Sequence, residues 1–193
     1  GQAMAEMRAA FGMTQDQMNV LADKINYLGN NTAASAKDIL EITQRIGPLG
    51  SVAGAASGSI AAMGATLRGM GVQNEIAATG IKNLLLSLTA GASATKSQRE
   101  AFKQLGFTSK QVAKSMQLNA DETIRVILSK ISKLPKHMQA ATLSQLFGKE
   151  SIGAIAPMLT QLDTYQKNLD MVKDKTKYAG SMQAEYCLLY TSD

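Results

Sequence analysis

The chain has 193 residues, which is enough for one domain, or slightly more, to bury a core of its own. Hydrophobic residues make up 45% and charged residues 18%, a balance that excludes a wholly disordered chain. Aromatic residues are only 5% and Trp is absent, whereas there are 11 Met, so closely packed helices are favoured over a sheet. The single cysteine, Cys187, excludes an internal disulfide and a cysteine-ligated metal cluster. The net charge of +5 mildly favours anionic partners, but the Lys and Arg residues are scattered and mark no binding face.

Helical periodicity recurs along the whole chain, and the alternation typical of a β-strand is absent. Residues 1–13 are polar, helical in pattern and do not begin with Met, so we expect them to be the end of a preceding helix in a longer protein. The next helix is predicted to start at Thr14 and to end at Gly29. A third is predicted to start at Ser35, which has Asp38 three residues later as in a capping box, and to end in the sequence GPLG.

Residues 46–67 carry no charge and are numerous enough to span a bilayer. Within them Gly54 and Gly58 form the small-x-x-x-small pattern of close helix contacts. Pro48 and several glycines interrupt the segment, and small side chains outnumber large apolar ones, so transfer into lipid would gain little. We therefore predict a short helix pair packed through small residues, and a membrane-active helical module is kept as an alternative.

Residues 72–88 are apolar nearly all round, which predicts a central, buried helix. Three further helices are predicted to start at side chains that can cap a helix and that have Gln or Glu three residues later: Thr95, Thr108 and Asn119. Pro135 is predicted to end the third of these helices.

Two more segments complete the pattern of helices. A stripe of Leu143, Leu146 and Phe147 is stopped by Gly148, and a last helix is predicted to carry its apolar face from Met158 to Val172. The predicted fold class is therefore all-α: a multi-helix domain of about eight short amphipathic helices joined by Gly or Pro turns, without a sustained coiled coil.

The string Gly148-Lys149-Glu150-Ser151 is the part of the chain most similar to a phosphate-binding loop, and it fails that motif. A P-loop needs a glycine five residues before Gly148, where this chain has Leu143, and it needs Ser or Thr where Glu150 stands. Gly148 is better explained as the end of one helix, with Glu150 at the favourable start of the next. His137 is the only histidine and is predicted to be a plain surface side chain. We expect no enzyme activity, no metal site and no cofactor.

Residues 108–128 have the outline of a helix-turn-helix DNA-binding motif. Its candidate recognition helix would carry Thr123, Ile124 and Arg125. The match is incomplete, because Gln117 stands where the tight turn usually has glycine and one extra residue separates that turn from Thr123. Two packed amphipathic helices explain the same spacing, so a helical DNA-binding domain is a second alternative.

Three stretches carry a resemblance to a known family: NNTAASAKDILEITQRIGPLG, GATLRGMGVQNEIAATGIKNLLLSLTAGASATKSQREAFKQLGFTSKQVAKSM and LSKISKLPKHMQAATLSQLFGKESIGAIAPML. Together, and in this order along residues 14–186, they resemble the tail tape measure proteins of tailed bacteriophages and prophages. The resemblance implies that residues 14–186 form an all-helical core domain of that family. Residues 187–193, CLLYTSD, share no pattern with what precedes them and are predicted to be a non-native tail.

The resemblance implies a structural and assembly role. Family members are long, mostly helical chains that occupy the lumen of the tail tube, set the length at which the tube stops growing, and are released during DNA ejection. It further implies synthesis in the bacterial host cytoplasm and contact with the tail tube protein, tail assembly chaperones, tail tip or baseplate proteins and other copies of the chain. A transient contact with the host membrane is compatible with it, and no specific nucleic-acid recognition is expected.

The residues expected to matter mechanically stand where the periodicity breaks. They are predicted to be hinges between helices through which a folded form could open into an extended one: Gly47, Pro48, Gly71, Gly106, Pro135 and Gly148. Replacement of Gly106 or Gly148 by Ala is expected to hinder that opening.

Overall fold

The computed structural model describes residues 2–183, and every regular element in that range is a helix. The α-helices follow in the order α1 (Gln2–Phe11), α2 (Gln15–Asn31), α3 (Ala36–Ile46), α4 (Leu49–Val52), α5 (Ser57–Gly69), α6 (Asn74–Leu88), α7 (Lys96–Gln104), α8 (Ser109–Leu118), α9 (Ala120–Ser132), α10 (Lys136–Phe147), α11 (Ile152–Leu159), α12 (Leu162–Lys173) and α13 (Lys175–Tyr178). Two 3₁₀ turns, Gly91–Ser93 and Lys149–Ser151, precede α7 and α11. The predicted all-α fold is confirmed for the described residues, and the predicted tail at 187–193 lies outside them.

The predicted number of about eight helices is wrong, because the described residues contain thirteen. Two of these, α4 and α13, are single turns of four residues, too short to show a helical period in the sequence. The last predicted helix, from Met158 to Val172, is divided into α11 and α12. Gln161 leaves the helical region between them, with φ −128° and ψ 33°, so α11 packs mainly on α6 and α10, and α12 mainly on α5 and α2.

Several predicted helix starts are confirmed by their capping hydrogen bonds. The hydroxyl of Thr14 accepts from the backbone N–H of Gln17 at 3.1 Å, and the Gln17 side chain accepts from the backbone N–H of Thr14 at 2.9 Å. The same reciprocal pair starts α7 at Thr95 and α8 at Thr108. Each pair satisfies two N–H groups that the first turn of a helix leaves without a partner.

The predicted end of α2 at Gly29 is wrong, because the helix continues to Asn31. A Cβ atom at Gly29 would lie 2.7 Å from the backbone nitrogen of Ala36. The glycine is therefore there because the start of α3 passes close to α2, and not because the helix stops.

Helix α5 is the centre of the domain. Ten of its thirteen residues are buried, and it packs against α2, α3, α6 and α12. Small side chains allow this approach, as at Gly64, where an added Cβ would lie 3.1 Å from the Cγ2 atom of Ile42. A buried hydrogen bond of 2.9 Å from the Asn168 side chain to the Thr66 hydroxyl joins α12 to α5.

Helix α6, predicted to be central, is buried mainly on one side. It buries eight of its fifteen residues, whereas Leu86 on the opposite side is 53% exposed. It contacts α3 and α5 as well as α10 and α11, so it joins two parts of the domain. Its position between other helices agrees with the predicted central helix, although α5 is more completely enclosed.

The segment at 46–67 forms the predicted short helix pair, α4 and α5, within the domain. Most of α5 is enclosed by its neighbours, which covers the apolar surface that a membrane-active helix would need to present. Among the described residues, none of the helices combines the length and the apolar character needed to cross a bilayer.

The remaining helices, α7–α10, form a second group. Helix α7 packs on α10, and α8 packs on α9 and on the 3₁₀ turn Gly91–Ser93. Two contacts orient this group. The Gln98 side chain at the start of α7 donates to the backbone oxygen of Leu146 at the end of α10, at 3.3 Å. The hydroxyls of Ser115 in α8 and Thr123 in α9 lie 2.6 Å apart.

Substitution of Gly80 by Ala should destabilise the fold by about 1–3 kcal/mol, because it overpacks the contact between α6 and α11. A Cβ at Gly80 would lie 2.5 Å from the Cβ of Ala154. Gly153 is the matched control, since its Cβ would have ordinary contact at 3.6 Å from Ile76 Cγ2, and Gly153→Ala should be neutral or stabilising by up to about 1 kcal/mol. Urea unfolding followed by circular dichroism measures both changes, and equal midpoints for the two variants would contradict the close contact.

Candidate functional site

The six predicted hinge residues all lie at helix ends, at five junctions. Gly47 and Pro48 separate α3 from α4, and Gly71 follows α5 in the connection to α6. Gly106 lies between α7 and α8, Pro135 precedes α10, and Gly148 ends α10. Their positions agree with the periodicity breaks from which they were predicted, whereas their mechanical role stays a prediction.

The four glycines among them have a backbone conformation that other residues rarely adopt. Their φ angles are 62° at Gly47, 87° at Gly71, 93° at Gly106 and 86° at Gly148. After α7 the N–H of Phe107 reaches back to the carbonyl of Phe102 at 2.9 Å, in the closing pattern typical of a left-handed glycine cap. Alanine at these positions should strain the observed backbone, so we expect it to favour any opening of the junctions, the opposite of the direction expected from the sequence.

A polar network closes the α5–α6 junction from the side of α3. Asp38 accepts from the Arg68 Nε atom at 3.1 Å and from the Asn74 side chain at 2.9 Å. The same Asn74 amide donates to Glu41 at 2.7 Å, and Arg45 pairs with Glu41 at 3.0 Å. Hydrogen bonds from Asn74 and Arg68 lower the pKa of Asp38, and those from Asn74 and Arg45 lower the pKa of Glu41.

The α10–α11 junction is closed by a side chain of α6. The Asn83 amide donates to the Ser151 hydroxyl at 2.8 Å and to the Glu150 carboxylate at 3.2 Å. An added Cβ at Gly148 would lie 2.7 Å from the Glu150 Oε1 atom, so this carboxylate folds back over the glycine. Residues 148–151, which the sequence analysis compared with a phosphate-binding loop, therefore connect α10 to α11. The polar side chains of Glu150 and Ser151 accept hydrogen bonds from Asn83.

Gly54 and Gly58 do not share one helix. Gly54 has φ 83° and lies in the turn before α5, where an added Cβ would be 2.9 Å from the backbone oxygen of Met116 in α8. Gly58 lies in the first turn of α5, where an added Cβ would be 3.0 Å from the Cδ atom of Lys24 in α2. Both glycines permit close approaches, but to different neighbours.

The predicted helix-turn-helix segment folds as α8 and α9 with Asn119 as the residue between them. Thr123 and Ile124 are buried, and the Thr123 hydroxyl donates to the Asn119 carbonyl at 2.8 Å. Arg125 bonds to Glu122 at 3.0 Å through its Nε atom. A recognition helix must present such side chains to base edges, so this arrangement does not support base reading by α9.

The part of the chain that the structure describes offers little for catalysis. It contains no group of three or more His, Cys, Asp or Glu placed to hold a metal ion. His137 is exposed in the first turn of α10, as predicted. Burial and the nearby Asp121 carboxylate raise the pKa of the buried Tyr165, which keeps its hydroxyl protonated.

Two residues that contact the junctions, Asn74 and Asn83, were not predicted from the sequence. Each is a polar residue near the end or on one side of an apolar helix, a pattern that is also typical of an ordinary exposed side chain. Their partners lie 36 and 33 residues away for Asn74 and 67 and 68 residues away for Asn83. Only the packing of the helices shows that they hold junctions closed.

The fold and its junctions define an all-α domain in which polar side chains tie helix ends together. Residues 1–148 match the family described as phage-related minor tail protein. The chain therefore belongs to that family, and its role is that of a structural component of the phage virion tail.

A relative carries a more particular description. The chain is 40% identical over 185 residues to the "Probable tape measure protein" of Halomonas phage phiHAP-1 (isolate -/Gulf of Mexico/-/2001). The aligned region covers 96% of this chain and 22% of the relative, so the chain spans about a fifth of that protein's length. No solved structure matches the chain. The resemblance to tape measure proteins inferred from the sequence is thus confirmed.

Gly106→Ala should lower the free energy of unfolding by about 1–2 kcal/mol, because alanine at positive φ is strained. Nothing lies within 4 Å of the added Cβ, so backbone conformation alone produces the effect. Gly69→Ala is the control, since Gly69 lies within α5 and its Cβ would have ordinary contact at 3.8 Å. Urea denaturation should separate the two variants, and a stabilised Gly106→Ala protein would contradict the strained junction.

Asp38→Asn should make the stability of the protein less sensitive to acid. Because the folded state lowers the pKa of Asp38, its contribution is complete above the unfolded pKa of about 3.9 and is lost as pH falls through the folded value. The free energy of unfolding of the variant should therefore change less than that of the wild type below about pH 4. Glu100→Gln, which removes an exposed carboxylate of α7, should retain the wild-type slope. Parallel curves for Asp38→Asn and the wild type would contradict this role.

Proposed function

We propose that this chain is a segment of a tape measure protein that occupies the lumen of the tail tube, sets tail length during assembly and is released during DNA ejection. The observation that carries the proposal is the 40% identity, over 96% of the chain, to a probable tape measure protein. An all-helical chain suits this role physically, because each residue in a helix advances the axis by about 1.5 Å and so converts residue number into length.

The compact domain opens at its junctions when it enters the tube. A straight helix of the whole chain would span on the order of 290 Å, whereas the observed chain reverses at glycines and prolines. The contacts that close the α5–α6 and α10–α11 junctions are hydrogen bonds between half-buried or exposed side chains. Such bonds contribute about 0.5–1.5 kcal/mol each, so exchange for contacts with a partner can open them.

The partners are those of a tail assembly. Within the tube the chain contacts the tail tube protein and other copies of itself, and at its ends the tail tip or baseplate proteins. Tail assembly chaperones hold it in the host cytoplasm, where it is made, before the tube forms. The chain has no catalytic role in this proposal, and its contact with the host membrane is confined to ejection.

An in-frame duplication of residues 14–186 in the phage gene should lengthen the tail. If the second copy is extended, the increase should be on the order of 260 Å at about 1.5 Å per residue. Tail length is measured by electron microscopy of purified particles. The duplicated gene expressed beside the wild-type gene is the control, and it should give two populations of tails.

Three outcomes of this experiment have different meanings. Tails of unchanged length would contradict the role in setting length. An increase of only a few tens of Å would retain that role but contradict opening of the domain, because a compact unit adds only about its own diameter. The full increase supports both parts of the proposal.

A peptide epitope inserted beside the exposed His137 should test the position in the lumen. Antibody should not label intact tails, because the tube would cover the epitope, and labelling should follow after ejection is triggered. The same epitope on the outer surface of the tail tube protein is the control and should be labelled throughout. Labelling along intact tails would contradict the position in the lumen.

A further inference from the structure

The positive charge of the chain is concentrated in one segment. Residues 101–149 contain eight basic residues and only two acidic ones, an excess larger than the net charge of +5 of the whole chain. Both acidic residues lie in the first turn of α9, where Asp121 pairs with Lys173 at 2.9 Å and Glu122 with Arg125 at 3.0 Å. Of the other basic residues of this segment, only Lys149 is directly next to an acidic residue in the sequence, Glu150.

Folding brings five of these lysines to the same end of the second helix group. The turn between α7 and α8 lies beside the end of α9, because the Lys130 Nζ atom is 5.3 Å from the centre of the Phe107 ring. Helix α7 packs on α10, and the contact of Gln98 with Leu146 joins the start of α7 to the end of α10. The two helices are therefore antiparallel, and the end of α7 lies near the start of α10. We call this part of the surface the basic end, and its lysines are Lys103, Lys110, Lys130, Lys133 and Lys136.

All five lysines of the basic end are exposed. The ion pairs of the described residues involve other basic side chains, so none of these ammonium groups has a carboxylate within 4 Å there. Asp121 and Glu122 lie at the other end of α9, on the order of 15 Å away by the helical rise. Of the carboxylates of α7–α10, only Glu100 lies near this end, three residues before Lys103, so the repulsion among the other four charges has no nearby compensation from these helices.

Two helices also start at the basic end with charges of the unfavourable sign. Five helices carry an acidic residue in the first turn, namely α2, α3, α6, α9 and α12, although α5 carries none and α7 begins with Lys96. In contrast, α8 carries Lys110 there, and α10 begins with Lys136. Positive charges next to the positive end of a helix dipole are destabilising, which is consistent with a surface kept for an anionic partner.

We propose that the basic end binds the backbone phosphates of double-stranded DNA without reading its sequence. Lysine binds phosphate as a point charge, and the closely spaced phosphates of a duplex can contact several separate ammonium groups at once. In this chain Arg45, Arg68 and Arg125 do pair with carboxylates, and the free charges of the basic end are all lysines. The buried Thr123 and Ile124 leave no base-reading helix here, so phosphate contacts would supply the affinity.

The test uses the purified 193-residue chain and a fluorescein-labelled duplex of mixed sequence, followed by fluorescence anisotropy. We expect a dissociation constant of about 10⁻⁴–10⁻⁶ M that weakens steeply between about 50 and 200 mM salt. The triple variant Lys130→Gln, Lys133→Gln, Lys136→Gln should bind more than about tenfold more weakly at low salt. Its log–log salt slope should be smaller by about 0.9 for each phosphate that the variant no longer neutralises.

The matched control removes the same charge elsewhere, from the exposed Lys37, Lys167 and Lys175 on α3, α12 and α13. This control should bind as the wild type does, and both triple variants should unfold at the wild-type urea concentration, since the lysines are exposed.

An equal loss of affinity in both variants, an unchanged affinity of the Lys130, Lys133 and Lys136 variant, or no salt-dependent binding would overturn the proposal. Displacement of the duplex by poly-glutamate at equal charge, or binding only to vesicles containing phosphatidylglycerol, would also overturn it and would indicate an acidic protein or a membrane instead. Tail length plays no part in this experiment, so its result is independent of the proposed assembly function.

Discussion

Helix α5 has almost no side turned to solvent, and the arrangement of the other helices follows from the need to cover it. Its small residues let α3 approach closely at Gly64, and its large ones, Ile60, Met63 and Leu67, are fully buried. Burial of each such large side chain contributes about 1.5–3 kcal/mol. Helices α2, α3, α6 and α12 therefore form a shell around α5, and α6 connects that shell to the second group, α7–α10.

The sequence predicted the local features of this fold better than its centre. The capping boxes at Thr14, Thr95 and Thr108 could be predicted because both partners lie three residues apart. The central position of α5 could not, because Ala, Gly and Ser give a weak hydropathy signal although they allow the closest packing. The end at Gly29 was mispredicted for a related reason: the glycine is explained by Ala36 of the next helix, and no local pattern shows that contact.

At the junctions, too, only the features set by local sequence could be predicted. Gly106 and Gly148 were found from the sequence because the apolar period stops at them, and both have the positive φ typical of glycine after a helix. The side chains that hold the junctions closed were not found, because Asn74 and Asn83 bind partners on other helices. Similarly, the basic residues are scattered along the chain, and only the antiparallel packing of α7 and α10 brings five lysines together. Membership of the minor tail protein family adds the context of a phage tail, and the chain aligns with about a fifth of the length of the tape measure relative.

The burial of α5 has a consequence for the solubility of the opened chain. Once the surrounding helices separate, thirteen residues with hardly any charge, on the order of 20 Å of helix, lose their cover. An apolar surface of that size promotes aggregation in water, and two copies of α5 offer each other the same small residues that α3 now contacts. An opened domain would therefore tend to associate with its own copies. Any opening of the domain in water would have to coincide with its cover by another protein or by a second copy of the chain.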